Sequence, residues 1–396
     1  MPKSVPALVT PDLLVWARET AGLSPEVAAD KLRIRRERLA GWERGAERPT
    51  FAQLKGVGQL YRQPLAIFYL PERPKTLPSR RPHDFRRLPG DAPGASPKLV
   101  FEIRKSSARR EQALDLAADL GVKPRDFPLT ARVDEDPEMV AERIRQFLGV
   151  TTDLQSAWSG QYEHFHGWRG AVEDRGVLVF QASGIEMAEM RAFSIAAFPM
   201  PIVVVNSKDT TNGRVFSMLH EICHLLLHQD GLCIPGQEGD NSDPDQTIEA
   251  FCNHVAGAAL VPRKPLAEDP AIRARLGIVE WTETELQGVA TRFGASREVV
   301  LRRLLILGRT TQDHYNRMRR LFQVQQEQAK PRESKGGPAP DVMALTRSGT
   351  LFTKLAIESY HQQKITLSDL SDLLEVKVRY LRDIEDAASK KPVSLY

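Results

Sequence analysis

His220, Glu221 and His224 stand in the run FSMLHEICHLLLH (216–228), where Leu219, Ile222, Leu225, Leu226 and Leu227 have the character of a buried helix. Residues four apart lie one helical turn above each other, so the two imidazoles aim their nitrogens at one point. A zinc ion accepts such a pair at about 2.0–2.1 Å. Glu221 sits one step round the helix, where it can take a proton from water rather than bind the metal. A chance match, or core histidines satisfied by ordinary neighbours, is the plain alternative. Burial weighs against it, because an unpaired buried imidazole costs about 1–3 kcal/mol and two beside a carboxylate need a shared partner. A divalent cation is such a partner.

A catalytic zinc takes three protein ligands and leaves one position open. A third histidine six residues after the second is ruled out, since that position is Asp230. His228 continues the face another turn, but a straight helix carries it away from the ion. Glu249 is the preferred third ligand: it opens a helix, 246–262, that can pack beside the first and point a carboxylate across. Asp240, Asp243 and Asp245, in the polar loop 229–245, are alternatives, and His254 reads as a structural or supporting residue. Two histidines and a carboxylate suit zinc, and they also accept manganese or iron.

The elements that must position these groups follow from periodicity. GVLVFQA (176–182), RAFSIAA (191–197) and PIVVVNS (201–207) are short β-rich runs bounded by Gly, Pro and Asn. Three strands followed by the histidine helix make a small sheet packed on helices. Helical period recurs at 96–121, in DPEMVAERIRQFLG, YEHFHGWRGAVEDRG, ETELQGVATRFG and SREVVLRRLLILG, and at 365–385, where Thr366 is a cap. The fold class is therefore mainly α with a small β-sheet, an α+β arrangement.

Composition sets the wider bounds. The 396 residues carry 55 basic and 51 acidic side chains, a net +4, too weak to indicate nucleic-acid binding by itself. Cys223, Cys233 and Cys252, an odd number without short spacings, do not form a secreted disulfide framework. The N-terminus lacks a signal-type apolar run, and no apolar stretch suits a membrane span. A cytoplasmic protein with reduced thiols is expected, without a membrane partner. Cys223 and Cys252 flank the candidate ligands, where small buried packing residues are favoured over a redox handle.

FSMLHEICHLLLH followed by IEAFCNHVAGAALVP resembles the ImmA/IrrE metallopeptidase family, which joins a His-Glu-x-x-His helix to a Glu-bearing helix with a Leu-x-Pro stop. RAFSIAAFPMPIVVVNS resembles the family's strand pair ahead of the catalytic helix. The resemblance covers about residues 160 to 310. It implies a zincin-like metallopeptidase with His220, His224 and Glu249 as zinc ligands and Glu221 as general base. It further implies a narrow protein substrate of repressor type, cleaved on a stress or ligand signal. Metal ligation does not by itself prove turnover, so a ligand-sensing regulator that cleaves nothing is the second reading.

At the other end, LSPEVAADKLRIRRERLAGWERGAERPT reads as helix, turn and helix, held by Val27, Ala28, Leu32, Ile34, Leu39 and Trp42. It resembles the lambda-repressor/Cro-like (XRE) helix-turn-helix, which implies double-stranded DNA as partner. In that fold the second helix of the pair enters the major groove with its N-terminal residues. Arg35, Arg36 and Arg38 are then the base or phosphate contacts, and by analogy a homodimer is compatible. The turn departs from the usual pattern, holding Leu32, Arg33 and Ile34 where a small residue or Gly is common. The expected order is a helix-turn-helix domain at 8–75 and a linker with helical connector at 76–135. The metallopeptidase domain follows at 136–324, then a flexible linker at 325–340 and a helical C-terminal module at 341–396.

Overall fold

The computed structural model describes residues 6–73, 96–228, 232–233, 244–275, 277–328, 339–391 and 393–395. The chain divides into two compact units, 1–105 and 106–396.

Side-chain caps start two of the helices of the first unit. After α1 (Pro11–Thr20), α2 (Pro25–Leu32) begins at Ser24, whose hydroxyl accepts from Val27 N–H. α3 (Arg36–Glu43) precedes α4 (Phe51–Tyr61), which opens with a reciprocal Thr50–Gln53 capping box. A 3-10 turn, Leu65–Tyr69, follows. Leu39, Trp42, Leu54, Tyr61 and Phe68 close the core. The unusual α2–α3 turn places Arg33 in the left-handed region at φ 56°, a position that favours Gly and costs another residue about 1–2 kcal/mol. Hydrogen bonds hold it there: Arg33 N–H donates to Asp30 O and Ile34 N–H to Ala29 O.

α5 spans Pro97–Asp119. Beyond it, residues 122–132 form neither helix nor strand; Phe127, Leu129, Ala131 and Val133 pack against the core, and Ala131 N–H donates to Leu226 O. Then come α6 (Pro137–Leu148), α7 (Thr152–Ala157), α8 (Gly160–Glu173), β1 (Leu178–Ala182), β2 (Ala192–Ile195), β3 (Ile202–Asn206) and α9 (Thr211–Leu226). A two-residue β4 (Leu232–Cys233) precedes α10 (Pro244–Leu260). The sheet order is β1-β3-β2-β4, with β1 parallel to β3 and the other pairs antiparallel. Its strands β1 to β3 are buried along their whole length and largely apolar because both faces are covered. Val179, Ala192, Val203 and Val205 share a core with Met218, Leu219 and Ile222 of α9, while Phe180 on the opposite face meets the Phe352 ring edge-on.

The remaining helices are α11 (Arg263–Glu268), α12 (Pro270–Arg273), α13 (Glu283–Phe293), α14 (Arg297–Ile306), α15 (Gln312–Gln328), α16 (Pro340–Ser348), α17 (Thr350–His361), α18 (Leu367–Leu374) and α19 (Leu381–Ser389). The expected linker 325–340 overlaps α15, because its Gln/Glu-rich start is good helix-forming sequence; residues 329–338 lie outside the described residues, as do 74–95 of the expected earlier linker. The C-terminal helices belong to the second unit, with α16 packed on β1 and α17 on α8. A buried Arg169–Glu173 pair joins them, Arg169 donating to Thr346 O and Glu173 accepting from Thr350 N–H. Gly349 is required at this junction, since a Cβ there would stand 2.3 Å from the Glu173 carboxylate and 2.7 Å from Val179 O.

Candidate metal centre

From Ser217 to Leu226 α9 is buried at every residue because it packs against α8, α10, β2 and β3 together. Its polar residues therefore cannot turn to water: His220 and Glu221 have no exposed surface and His224 has 3%. α10 supplies the missing partner. Glu249 Oε2 lies 3.2 Å from His220 Nε2, Glu249 Oε1 lies 3.1 Å from His224 Nε2, and the two Nε2 atoms are 3.1 Å apart.

Those three separations can be compared with what a metal needs. Four ligands held tetrahedrally at about 2.0–2.1 Å stand about 3.3 Å from one another, by the geometry of the tetrahedron. The observed triangle is within a few tenths of an ångström of that edge length. The donor set, two imidazoles and a carboxylate, is of the kind zinc accepts with a fourth position left over. These are the residues among those described that can hold a metal as a group of three. Burial acts to raise the Glu249 carboxyl, but hydrogen bonds and charge from His220 and His224 outweigh it and hold the group below the ordinary carboxylate range.

Supporting residues complete the geometry. Asn253, one turn beyond Glu249 on α10, has its Oδ1 3.1 Å from His220 Nδ1. With Nδ1–H donating to that oxygen, the His220 tautomer presents the Nε2 lone pair to the triangle. Ser194 on β2 donates to Glu221 Oε2 at 2.7 Å, and Glu221 lies outside the three-ligand group although it adjoins His220 in sequence. Neither Asn253 nor Ser194 belongs to the motif that marks the candidate ligands. A Glu-x-x-x-Asn spacing on the second helix was the available signal for Asn253; nothing local marked Ser194.

The other candidates fall elsewhere. His254 stands 3.0 Å from Glu138 Oε1 on α6, and Arg303 of α14 grips the same carboxylate with 2.6 and 2.8 Å bonds. It ties helices together without joining the triangle. His228 follows the end of α9 in a left-handed conformation and is exposed, its ring beside that of Phe198. Asp240 and Asp243 lie outside the described residues, as does the Asp245 side chain. Cys223 and Cys252 are both buried and mutually hydrogen-bonded, and burial pushes the Cys252 thiol well up. A thiol so disfavoured as thiolate behaves as packing.

In the first unit, Arg35 is the N-cap residue of α3, and Arg36 and Arg38 follow in its first turn. All three are exposed. Arg36 pairs with Glu26 at 2.7 Å, and the Arg38 guanidinium lies 5.9 Å from the Trp42 ring centre, with Glu47 at 3.9 Å.

Residues 172–305 match the profile of the IrrE N-terminal-like domain, Peptidase M78. That stretch is a metallopeptidase-type domain. The match spans β1 to β3, α9 and α10, and so includes all three members of the triangle, Glu221, Asn253 and Ser194; the IrrE N-terminal-like domain ends within α14, and the first unit lies outside it. No curated protein matches the chain. Among the described residues no helix is long and apolar enough to cross a membrane.

Proposed function

We propose that the protein is a zinc-dependent metalloendopeptidase, with manganese as an alternative metal, acting in the cytoplasm and coupled to transcriptional control. The observation that carries this reading is the triangle of His220 Nε2, His224 Nε2 and Glu249 at 3.1–3.2 Å beside a buried Glu221. When bound, a divalent ion supplies Lewis acidity, polarising a carbonyl oxygen and acidifying water. His220 and His224 would hold it from one helix and Glu249 from the next. Glu221 accepts a proton from the attacking water and returns it to the leaving amide nitrogen, so its carboxylate begins and ends the cycle unprotonated. Asn253 keeps His220 in the tautomer that binds metal.

The substrate we propose is a repressor-type protein cut on a stress or ligand signal, and the partner of the first unit is double-stranded DNA. Arg35, Arg36 and Arg38 at the start of α3 support the second assignment, since that end of a recognition helix meets base edges and phosphates. A homodimer would present two such helices to half-sites one turn apart. The test is incubation of the zinc-loaded chain with the repressor encoded beside it. Specific cleavage, lost in Glu221→Gln, is expected; an intact repressor under inducing conditions rejects this substrate.

Burial supports one other reading. His220, Glu221 and His224 are almost entirely enclosed, and Glu249 shows only 18% of its side chain. A centre so closed suits a sensor that binds metal or a small ligand and cuts nothing. Glu221→Gln separates the two, because it spares metal binding: cellular function lost with it indicates catalysis, function kept indicates sensing.

A further inference from the structure

Ser194 is the polar residue of β2, a strand buried along its whole length. Its neighbours Phe193 and Ile195 point to the opposite face, while Ser194 shares a face with Ala192 and stands across from Val203 in register. Ala192 and Val203 pack into the core built on α9. A hydroxyl set among such groups costs free energy unless it finds a partner, and it finds Glu221 Oε2 at 2.7 Å. Both residues are fully buried. The bond joins the sheet to the one carboxylate of α9 that neighbours a candidate ligand yet stands apart from the ligand group.

We propose that Ser194 is the positioning residue for Glu221: its hydroxyl holds Oε2 towards β2, fixing the plane of the carboxylate and keeping it from joining His220, His224 and Glu249 around the metal. This inference rests on the metal-centre reading above. The chemical reason is competition. A carboxylate adjacent in sequence to a metal-binding imidazole is itself a good ligand for a divalent ion. If it bound, the open position would be filled and the base would be lost. A charge-assisted hydrogen bond in a buried site is strong enough to decide between the two orientations. Asn253 fixes a ligand to bind; Ser194 fixes a carboxylate not to.

The test uses the full chain loaded with cobalt(II), whose visible absorption weakens as ligands are added, compared across wild type, Ser194→Ala, Ser194→Thr and Ser194→Ala combined with Glu221→Gln. In Ser194→Ala the released carboxylate should bind, weakening the absorption about two- to threefold. Cobalt affinity should rise about tenfold, or about 1.4 kcal/mol. The added Glu221→Gln should restore the wild-type spectrum, and Ser194→Thr, which keeps the hydroxyl, should never lose it. Ser194→Cys, with a weaker donor in similar volume, should shift the same way by less, and serves if the alanine variant does not fold. An unchanged spectrum and affinity in both Ser194→Ala and Ser194→Cys would overturn the proposal. Failure of the wild type to bind cobalt would instead remove the metal centre itself, and this inference with it.

Discussion

The α9–α10 pair and the start of α3 both gather charged or ionisable side chains, but under opposite physical conditions. In the first, His220, Glu221 and His224 are enclosed and each polar group is constrained by a neighbour. In the second, Arg36 and Glu26 keep 64% and 53% of their side-chain surface. A buried polar group without a partner is expensive, so its presence demands an explanation and narrows the choices to a few. An exposed arginine needs none. It is compatible with DNA, with a protein partner, or with water alone. Inference is therefore strongest where solvation is weakest.

Substitutions in the two regions should differ accordingly. The largest effect is expected from Glu221→Gln, which should lower turnover by about 10²–10⁴-fold while leaving metal content unchanged. Turnover that survived it would move Glu221 from chemistry to packing.

Next is Glu138→Gln, which removes the charge paired with the buried Arg303. Urea unfolding should show a loss of about 3 kcal/mol. The pH dependence adds a second readout. Burial acts to raise the Glu138 carboxyl, but His254 and Arg303 more than offset it and bring the group from the ordinary 4.5 to about 2. A carboxyl depressed by folding contributes stability that is fully present above pH 4.5 and is lost as pH falls through about 2. Wild-type stability should decline across that window, and the Gln variant should decline less steeply. Parallel acid limbs would contradict the pairing.

Zinc should come third. At a hundred times its dissociation constant, bound metal adds about 2.7 kcal/mol, visible as a rise in Tm. Glu249→Ala should abolish that rise; a rise of the same size in the variant would place the metal elsewhere.

The exposed region should respond least in stability and most in salt dependence. Replacing Arg35, Arg36 and Arg38 together by Ala should weaken binding to duplex DNA and reduce the salt slope by about one unit for each phosphate no longer neutralised. Unfolding of the Arg36→Ala variant should differ from wild type by no more than about 0.5 kcal/mol, since exposed ion pairs contribute little. A larger destabilisation would mean that the contrast between the regions is overdrawn.

Local signals are legible in the sequence. Ser24, Thr50, Thr282, Ser296 and Thr366 all accept from backbone N–H groups at helix starts. The three strand runs at 176–207 form β1, β2 and β3 because β-branched residues between Gly and Pro leave few alternatives. His220 and His224 are legible since one helix fixes their spacing, and Glu249 because an apolar helix nearby in sequence has to pack somewhere. What escapes a sequence reading is set by distant partners. Ser194 acquires meaning only when β2 is threaded between β3 and β4 beneath α9. Gly349 is required only because α16 and α17 meet over the Arg169–Glu173 pair, which no local pattern in the C-terminal segment reveals. The Gln-rich end of α15 reads as linker because its polar composition hides its helix propensity.

Metal analysis of the full chain purified without chelator addresses the central claim most directly. One equivalent of a divalent ion, zinc first among the candidates, should accompany the wild type and be lost from both His224→Ala and Glu249→Ala. A metal-free wild type that takes up no zinc on titration would contradict the account, leaving two histidines and a carboxylate that share only a proton.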